Sequence, residues 1–219
     1  MAADIILGSE RILPPSRQIL TRIERADPVS QHMRIHKIND PKHLRQALGR
    51  FATGVTIVTT RGPNGKLEGL TANSFSAVSL DPPLVLWSLQ KKAPSLESFR
   101  SSGSFAVNVL GAHQHDHCRR FATPSADKFL DVAYRDGFGG CPVLDDSIAT
   151  FECSTQSVVE GGDHLIFLGR VESAVYRDGE PLIFSAGSFC VPTSFWPKES
   201  ASQAQTTGQP ASIQRECCS

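Results

Sequence analysis

The chain has 219 residues, and its 22 lysines and arginines balance its 22 aspartates and glutamates. That length suits one domain with extensions, and the hydrophobic share of 40% is that of an ordinary globular protein. The zero net charge argues against nucleic-acid binding, which normally needs a basic excess. No apolar run is long enough to cross a bilayer, and residues 1–13 lack the order of a secretory signal. We therefore expect a cytoplasmic protein with neither nucleic acid nor membrane as a partner.

Composition divides the chain into three regions. Residues 1–38 are mixed in character, and a short amphipathic helix around Ile19 is expected within an N-terminal arm. Residues 39–197 carry the dense, regular pattern of a folded domain. Residues 198–219 are rich in Ser, Gln, Thr and Ala, and such a segment buries too little apolar surface to offset its ordering entropy. The sequence therefore predicts one folded domain followed by a disordered polar tail.

The central region reads mainly as strands. The β-branched run at 54–60 is typical of a strand, and Gly-Pro-Asn-Gly at 62–65 predicts a hairpin turn. The other predicted strands are 67–72, 77–80, 84–89, 104–110, 149–159, 163–176 and 181–189. Short helices are predicted at 40–51, 95–101 and 113–121. Strands at this spacing, without long alternating helices, indicate an antiparallel barrel rather than a Rossmann or TIM architecture.

The cysteines do not indicate a disulfide scaffold or a zinc site, because none of the six forms a Cys-x-x-Cys pair. Four of them lie singly in the central region and are expected to be small, mostly buried thiols: Cys118, Cys141, Cys153 and Cys190. The other two, Cys217 and Cys218, close the polar tail.

Two polar segments are candidates for ligand binding. No nucleophile elbow, phosphate loop or dinucleotide fingerprint occurs, so an enzyme of this sequence would depend on a cofactor for its chemistry. The segment 69–76 packs small hydroxyl and amide residues after a strand, which suits a flavin edge or a phosphate, or an ordinary polar loop. The segment 88–95, with two lysines and two serines before a helix, suits a phosphate clamp or a solvated basic turn.

Histidines occur in two further candidate segments. His164 follows Gly-Gly-Asp at the opening of an apolar strand, although a lone histidine is more often a structural residue. The His-Gln-His-Asp-His run at 113–117 invites a metal-dependent hydrolase as an alternative. It lacks the ligand spacing of such enzymes and has no second cluster to complete a site, so a solvated helix face is favoured.

Taken in order, five segments resemble the signature of the flavin reductase family: residues 51–60, 69–89, 105–110, 120–122 and 162–164. The resemblance runs from about 41 to 189. It implies a mainly β fold, the FMN-binding split barrel, which is an antiparallel Greek-key barrel that forms a homodimer. It also implies reduction of FMN or FAD by NADH or NADPH, with the reduced flavin supplied to a partner flavin-dependent monooxygenase. The alternative is a non-catalytic flavin- or haem-binding protein of the same fold.

The resemblance also implies roles for individual residues. The residues matching the flavin-lining segments are Thr53, Gly54, Val55, Thr56, Thr71, Ala72, Asn73 and Ser74. Ser88 and Ser95 match the region that reaches the flavin phosphate, and Asn108 and Phe121 lie in motifs near the flavin. His164 matches the family histidine beside the nicotinamide and is the expected catalytic residue. The sequence departs from the family at Leu70, where a Met is expected, and at Trp87-Ser88, which replaces a smaller pair.

Overall fold

The computed structural model describes residues 40–193, so the expected N-terminal arm and polar tail lie outside the described residues. Its helices are α1 (Pro41–Leu48), α2 (Leu96–Ser102) and α3 (His115–Ala122), with short 3-10 turns at Ala112–Gln114 and Phe138–Gly140. Its strands are β1 (Thr53–Gly54), β2 (Thr56–Arg61), β3 (Leu67–Ala72), β4 (Ser76–Leu80), β5 (Pro83–Gln90), β6 (Ser104–Val109), β7 (Tyr134–Asp136), β8 (Pro142–Leu144), β9 (Ala149–Gly161), β10 (His164–Tyr176), β11 (Ile183–Ser185) and β12 (Ser188–Cys190). No helix in this part of the chain is long and apolar enough to span a membrane.

Local chemistry explains several of these boundaries. The Asp40 side chain accepts a hydrogen bond from Lys42 N at 2.8 Å, and Pro41 occupies the first turn, so α1 begins as the sequence predicts. Gly65, with φ 77°, closes the predicted hairpin between β2 and β3. The strand predicted at 181–189 is instead the hairpin β11–β12, because Ala186 and Gly187 both have positive φ at its turn.

The main sheet closes into a barrel because its two edges adjoin. Its strand order is β3-β2-β6-β9-β10-β5-β4, with antiparallel pairs throughout. The edge strands β3 and β4 are separated by only residues 73–75, so the sheet must curl to bring them together. Leu70 of β3 and Trp87 of β5 accordingly pack into one core, where Trp87 stacks on Phe167 at 4.8 Å. The predicted mainly β split barrel is confirmed.

Within residues 40–193, one flank of the sheet's outer face packs against other elements in an apolar cluster and the other flank does not. We call the covered flank the outer face of β2, β3, β6 and the first half of β9. There α3 contributes Cys118 and Phe121 to a second apolar cluster, and the β7–β8 hairpin contributes Cys141 and Val143 to a third. We call the open flank the outer face of β5 and β10. Its apolar side chains are half-buried and belong to none of the three clusters: Leu84, Leu86, Ile166 and Leu168.

The cysteine prediction is confirmed at three positions and wrong at one. Cys118, Cys141 and Cys153 are buried free thiols, and burial raises the pKa of Cys118 and of Cys153 to about 12. Cys190 is exposed, because it ends β12, which is the outer strand of the small three-stranded sheet. The β7–β8 hairpin was missed at the level of sequence, since strands of three residues carry no readable periodicity.

Candidate active site

The segment 73–75, where the chain crosses from one edge of the barrel to the other, is tied to β5 by a serine. The Ser74 hydroxyl accepts a hydrogen bond from Ser88 N at 2.9 Å and donates one to Ser88 O at 3.2 Å. The next residue, Phe75, stacks on Phe151 at 5.4 Å inside the barrel. One hydroxyl therefore serves both backbone groups of Ser88 and fixes the polar segment against the sheet. Asn73, half-buried beside it, makes no side-chain hydrogen bond to any residue in the range 40–193.

His164 lies on the same face of the barrel as Ser88. In the antiparallel pair β5–β10, Ser88 is opposite Ile166 and Gln90 is opposite His164. Side chains two residues apart on a strand share a face and are separated by about 7 Å. The fold thus brings together Ser74, Ser88 and His164, three of the residues that the sequence analysis singled out.

The His164 imidazole is held at one nitrogen and left without a partner at the other. Its side chain is only 4% exposed, and Nδ1 lies 2.7 Å from Oδ1 of Asp163. This hydrogen bond lowers the pKa of the Asp163 carboxyl. The second nitrogen, Nε2, is buried and finds no hydrogen-bond partner among residues 40–193. Because a buried polar atom without a partner costs about 1–3 kcal/mol, Nε2 is suited to receive a ligand or a water molecule.

Open space and a buried hydroxyl without a partner in the described residues lie at the start of β2, next to the end of β3. Thr56 is paired with Ala72 and donates its hydroxyl hydrogen to Ala72 O at 2.8 Å. Just before it, the Thr53 hydroxyl is buried with no partner in the described part of the chain. A Cβ placed on the exposed Gly54 would meet no atom within 4 Å. Open space therefore adjoins the polar segment that begins after Ala72.

Other residues singled out from the sequence are used by the barrel itself. Asn108 is fully buried: its amide donates to Ile57 O at 3.0 Å, and its carbonyl oxygen accepts from Leu144 N at 2.8 Å. The Thr71 hydroxyl donates to Cys118 O at 2.7 Å, which ties β3 to α3. The remaining residues are buried: Val55, Ala72, Phe121 and Ser95, the last of which precedes α2 without capping it through its side chain.

One side chain that supports this region was missed by sequence reasoning. The Lys128 ammonium donates hydrogen bonds to Gly69 O at 3.1 Å and to Phe121 O at 2.9 Å. Burial lowers its pKa. The residue thereby fastens the loop after α3 to the free edge of β3, but a single lysine in a loop carries no sequence signal for such a role.

The histidines of the run at 113–117 have different surroundings. His115 packs edge-on against Phe189 at 4.9 Å, whereas burial, and next the nearby Arg120, lower the pKa of His117. Within residues 40–193, no three His, Cys, Asp or Glu side chains lie close enough to hold a metal ion.

Comparison with known proteins identifies relatives of this arrangement. The model of the flavin reductase like domain matches residues 48–193. The chain is 46% identical to a probable flavin reductase of Rhizobium meliloti over 71% of this chain and 50% of that protein. It is 40% identical to the FMN reductase (NADH) SmoA of Agrobacterium fabrum, covering 78% of this chain and 97% of SmoA. It thus spans about half the length of the first relative and nearly all of the second.

A solved structure supports the same relationship. The Streptomyces globisporus NADH:FAD oxidoreductase SgcE6, in complex with NAD and FAD fragments, superposes with a TM-score of 0.70 at 39% identity. The match covers 77% of this chain and 100% of that one. Since the identity is well above the level at which only a fold is shared, the likeness extends to sequence as well as architecture.

Proposed function

The chain belongs to the flavin reductase family, and on that premise we propose that it reduces FMN or FAD with NADH or NADPH. The reduced flavin is then passed to a separate flavin-dependent monooxygenase, as the names of several relatives indicate for those proteins. The observation that carries the proposal is the pair of hydrogen bonds between Ser74 and Ser88. It joins the polar crossing segment to the strand pair that carries His164, so both ligands would meet on one face of the barrel.

The residues present fit a flavin. Asn73 offers an amide whose hydrogen bonds are not used by residues 40–193, and the open space over Gly54 leaves room for a planar ring system. The partnerless Thr53 hydroxyl adds a donor or acceptor at the same end of the barrel. We assign flavin binding to these three residues together with Ser74 and, toward the phosphate, Ser88. The other residues that the resemblance implied support the site indirectly, because they hold the surrounding structure together: Val55, Thr56, Thr71, Ala72, Ser95, Asn108 and Phe121.

The chemistry needs no covalent nucleophile from the protein. When both ligands are bound, the nicotinamide supplies a hydride and the flavin accepts it. The protein contributes position: a well-oriented pair of reactants can gain about 7–11 kcal/mol relative to reactants free in solution. His164 orients the nicotinamide by a hydrogen bond at Nε2, and the Asn73 amide stabilises electron-rich atoms at the flavin edge.

We propose that two copies of the chain associate through the open flank. Its half-buried Leu84, Leu86, Ile166 and Leu168 form an apolar face that adjoins Ser88 and His164. Exposed Val159, opposite Ile166 on β9, extends this face. An apolar face of this kind is typical of an interface between subunits. In the proposed homodimer, the partner subunit would therefore cover the surface next to the flavin site.

A cytoplasmic location is part of the same proposal. The reaction needs a supply of reduced nicotinamide nucleotide, and the three buried cysteines are unpaired thiols, which suits a reducing compartment.

The activity is tested by mixing the purified protein with NADH and FMN and following absorbance at 340 nm. We expect NADH oxidation that depends on both protein and flavin, and repeating the assay with FAD and with NADPH gives the preferences. Binding of flavin without any oxidation of NADH or NADPH would favour the non-catalytic alternative instead.

The site is tested by the double substitution Asn73→Ala with Ser74→Ala. We expect flavin binding to weaken by about 1–3 kcal/mol, because hydrogen bonds at a partly buried site are left unmade. The matched control is Ser76→Ala, since within the described part of the chain that exposed hydroxyl bonds only to Ala77 O, at 3.1 Å. Flavin affinity is measured by fluorescence quenching; equal affinities for the double variant and the control would contradict this placement of the flavin.

A further inference from the structure

The acid beside His164, Asp163, has a fixed backbone and a hydrated side chain. Asp163 follows the turn at Gly162 (φ 68°) and is fixed by its own backbone, because its carbonyl oxygen accepts from Lys91 N at 3.0 Å. Its side chain is 80% exposed, so the carboxylate remains hydrated while Oδ1 reaches inward to Nδ1 of the buried imidazole. The hydrogen bond from His164 favours the ionised form of this carboxyl.

An ionised carboxylate determines which imidazole nitrogen carries the proton. It has no hydrogen to donate, so the hydrogen bond at 2.7 Å requires the proton on Nδ1 of His164. In the neutral imidazole the other nitrogen is then an acceptor only. That nitrogen is Nε2, the buried atom without a partner in the described part of the chain. The group that completes this site must therefore present a hydrogen-bond donor.

We propose that Asp163 is a positioning residue that holds His164 in the Nδ1–H tautomer, so that Nε2 accepts a hydrogen bond from the carboxamide NH2 of the reduced nicotinamide. This assignment rests on the proposed function, which supplies the nicotinamide. It also predicts a specificity: the nucleotide's pyridine ring must carry a hydrogen-bond donor in its 3-substituent. A carbonyl group alone at that position cannot satisfy Nε2. Nε2 is buried among residues 40–193, so the proposed contact requires the groups around it to shift when the nucleotide binds.

This specificity is tested with reduced 3-acetylpyridine adenine dinucleotide, which replaces the carboxamide NH2 by a methyl group without changing the net charge. The quantity measured is the ratio of kcat/KM for NADH to kcat/KM for this analogue, at saturating FMN. We expect Asp163→Asn and His164→Ala each to lower the ratio about tenfold relative to the unmodified chain, and the double variant to lower it no further. A merely structural role for Asp163 would depress both donors alike and leave the ratio unchanged.

The matched control is Glu160→Gln. It removes one negative charge three residues away, where Glu160 pairs with Lys91 and makes no hydrogen bond to His164. Its ratio is expected to equal that of the unmodified chain. A lowered ratio in His164→Ala but not in Asp163→Asn would overturn the role of Asp163. An unchanged ratio in both would overturn the contact between Nε2 and the carboxamide.

A measurement on the unmodified chain keeps the inference open to refutation even if a variant fails to fold. Long-range 1H–15N correlation NMR on the unmodified chain is expected to show, for the His164 ring, a protonated Nδ1 and a bare Nε2. The reverse pattern would contradict the proposal. This result does not depend on activity, so it is distinguishable from failure of the proposed function, which would show as no NADH oxidation by the unmodified chain with FMN.

Discussion

Two polar groups on the outer face of one sheet, Asn108 on the covered flank and His164 on the open flank, have opposite surroundings. Both side chains are buried. Asn108 has partners for its carbonyl oxygen and its amide, all supplied by the barrel and the β7–β8 hairpin. His164 is held at Nδ1 only, and its Nε2 is left without a partner among residues 40–193. Burial alone therefore does not separate structural from functional polar residues; completeness of hydrogen bonding does.

The same contrast holds for a buried acid on the covered flank. Glu152 accepts hydrogen bonds from Arg135 at 2.6 Å and from Phe138 N at 2.6 Å, so both carboxylate oxygens are satisfied by the segment that covers it. Asp163, at the edge of the open flank, is exposed and directs His164 instead. One acid holds a hairpin in place, and the other prepares a neighbour to receive a ligand.

The largest expected effect comes from breaking the complete network at Asn108. Asn108→Ala removes the buried side-chain hydrogen bonds to Leu144 N and Ile57 O, and we expect the free energy of unfolding to fall by about 3 kcal/mol. Flavin affinity of the folded variant is expected to stay unchanged. Urea denaturation and fluorescence quenching measure the two quantities.

The control for that experiment is Asn64→Ala, an exposed asparagine in the β2–β3 turn, where we expect a change of about 0.5 kcal/mol or less. A variant of Asn108 that kept its stability but lost flavin would show that this residue contacts the flavin after all.

The next effect concerns what covers the open flank. Leu86→Glu places a charge on the proposed dimer face, and we expect the mass measured by light scattering to fall from dimer to monomer while the far-ultraviolet circular dichroism is retained. Leu130→Glu is the matched control, because Leu130 is a leucine 63% exposed in the loop after α3. If both variants remain dimeric, the subunits associate elsewhere; if the unmodified chain is monomeric, the open flank has another occupant.

The smallest expected effect concerns a histidine on the covered flank whose hydrogen bonding is incomplete. His117, on α3 of the covered flank, also has a buried nitrogen, Nδ1, without a partner in the described residues. Burial and then Arg120 hold its pKa below the ordinary histidine value of 6.5. In acid the unfolded chain therefore binds this proton more readily than the folded chain, so stability falls as the pH drops below about 6.5 and is unaffected by this group at pH 8.

His117→Gln should remove that dependence. At pH 8 we expect the free energy of unfolding to change by no more than about 0.5 kcal/mol. Between pH 7 and pH 5 we expect the Tm of the variant to fall less than that of the unmodified chain. Flavin reduction should be retained. Loss of activity by the variant at pH 8, or stoichiometric zinc in the unmodified chain, would indicate that the histidine run is a functional site.

Much of the fold was readable from local sequence. The Gly-Pro-Asn-Gly turn, the β-branched run of β2 and the Asp40-Pro41 helix start were all predicted correctly, because each depends on the conformational preference of neighbouring residues. The short strands β7 and β8 were not, since three residues give no periodicity and their pairing depends on the sheet beneath them.

What the sequence determined by itself is the set of candidate groups: the polar crossing segment at 71–74, the serines at 88 and 95, and the histidine at 164. What only the tertiary structure decided is which of them have partners. Asn108 is satisfied by Ile57 and Leu144, which are 51 and 36 residues away along the chain, whereas Nε2 of His164 meets no such group among residues 40–193. Hydrogen bonds between distant residues follow from how the strands pair, and a single sequence does not specify that pairing.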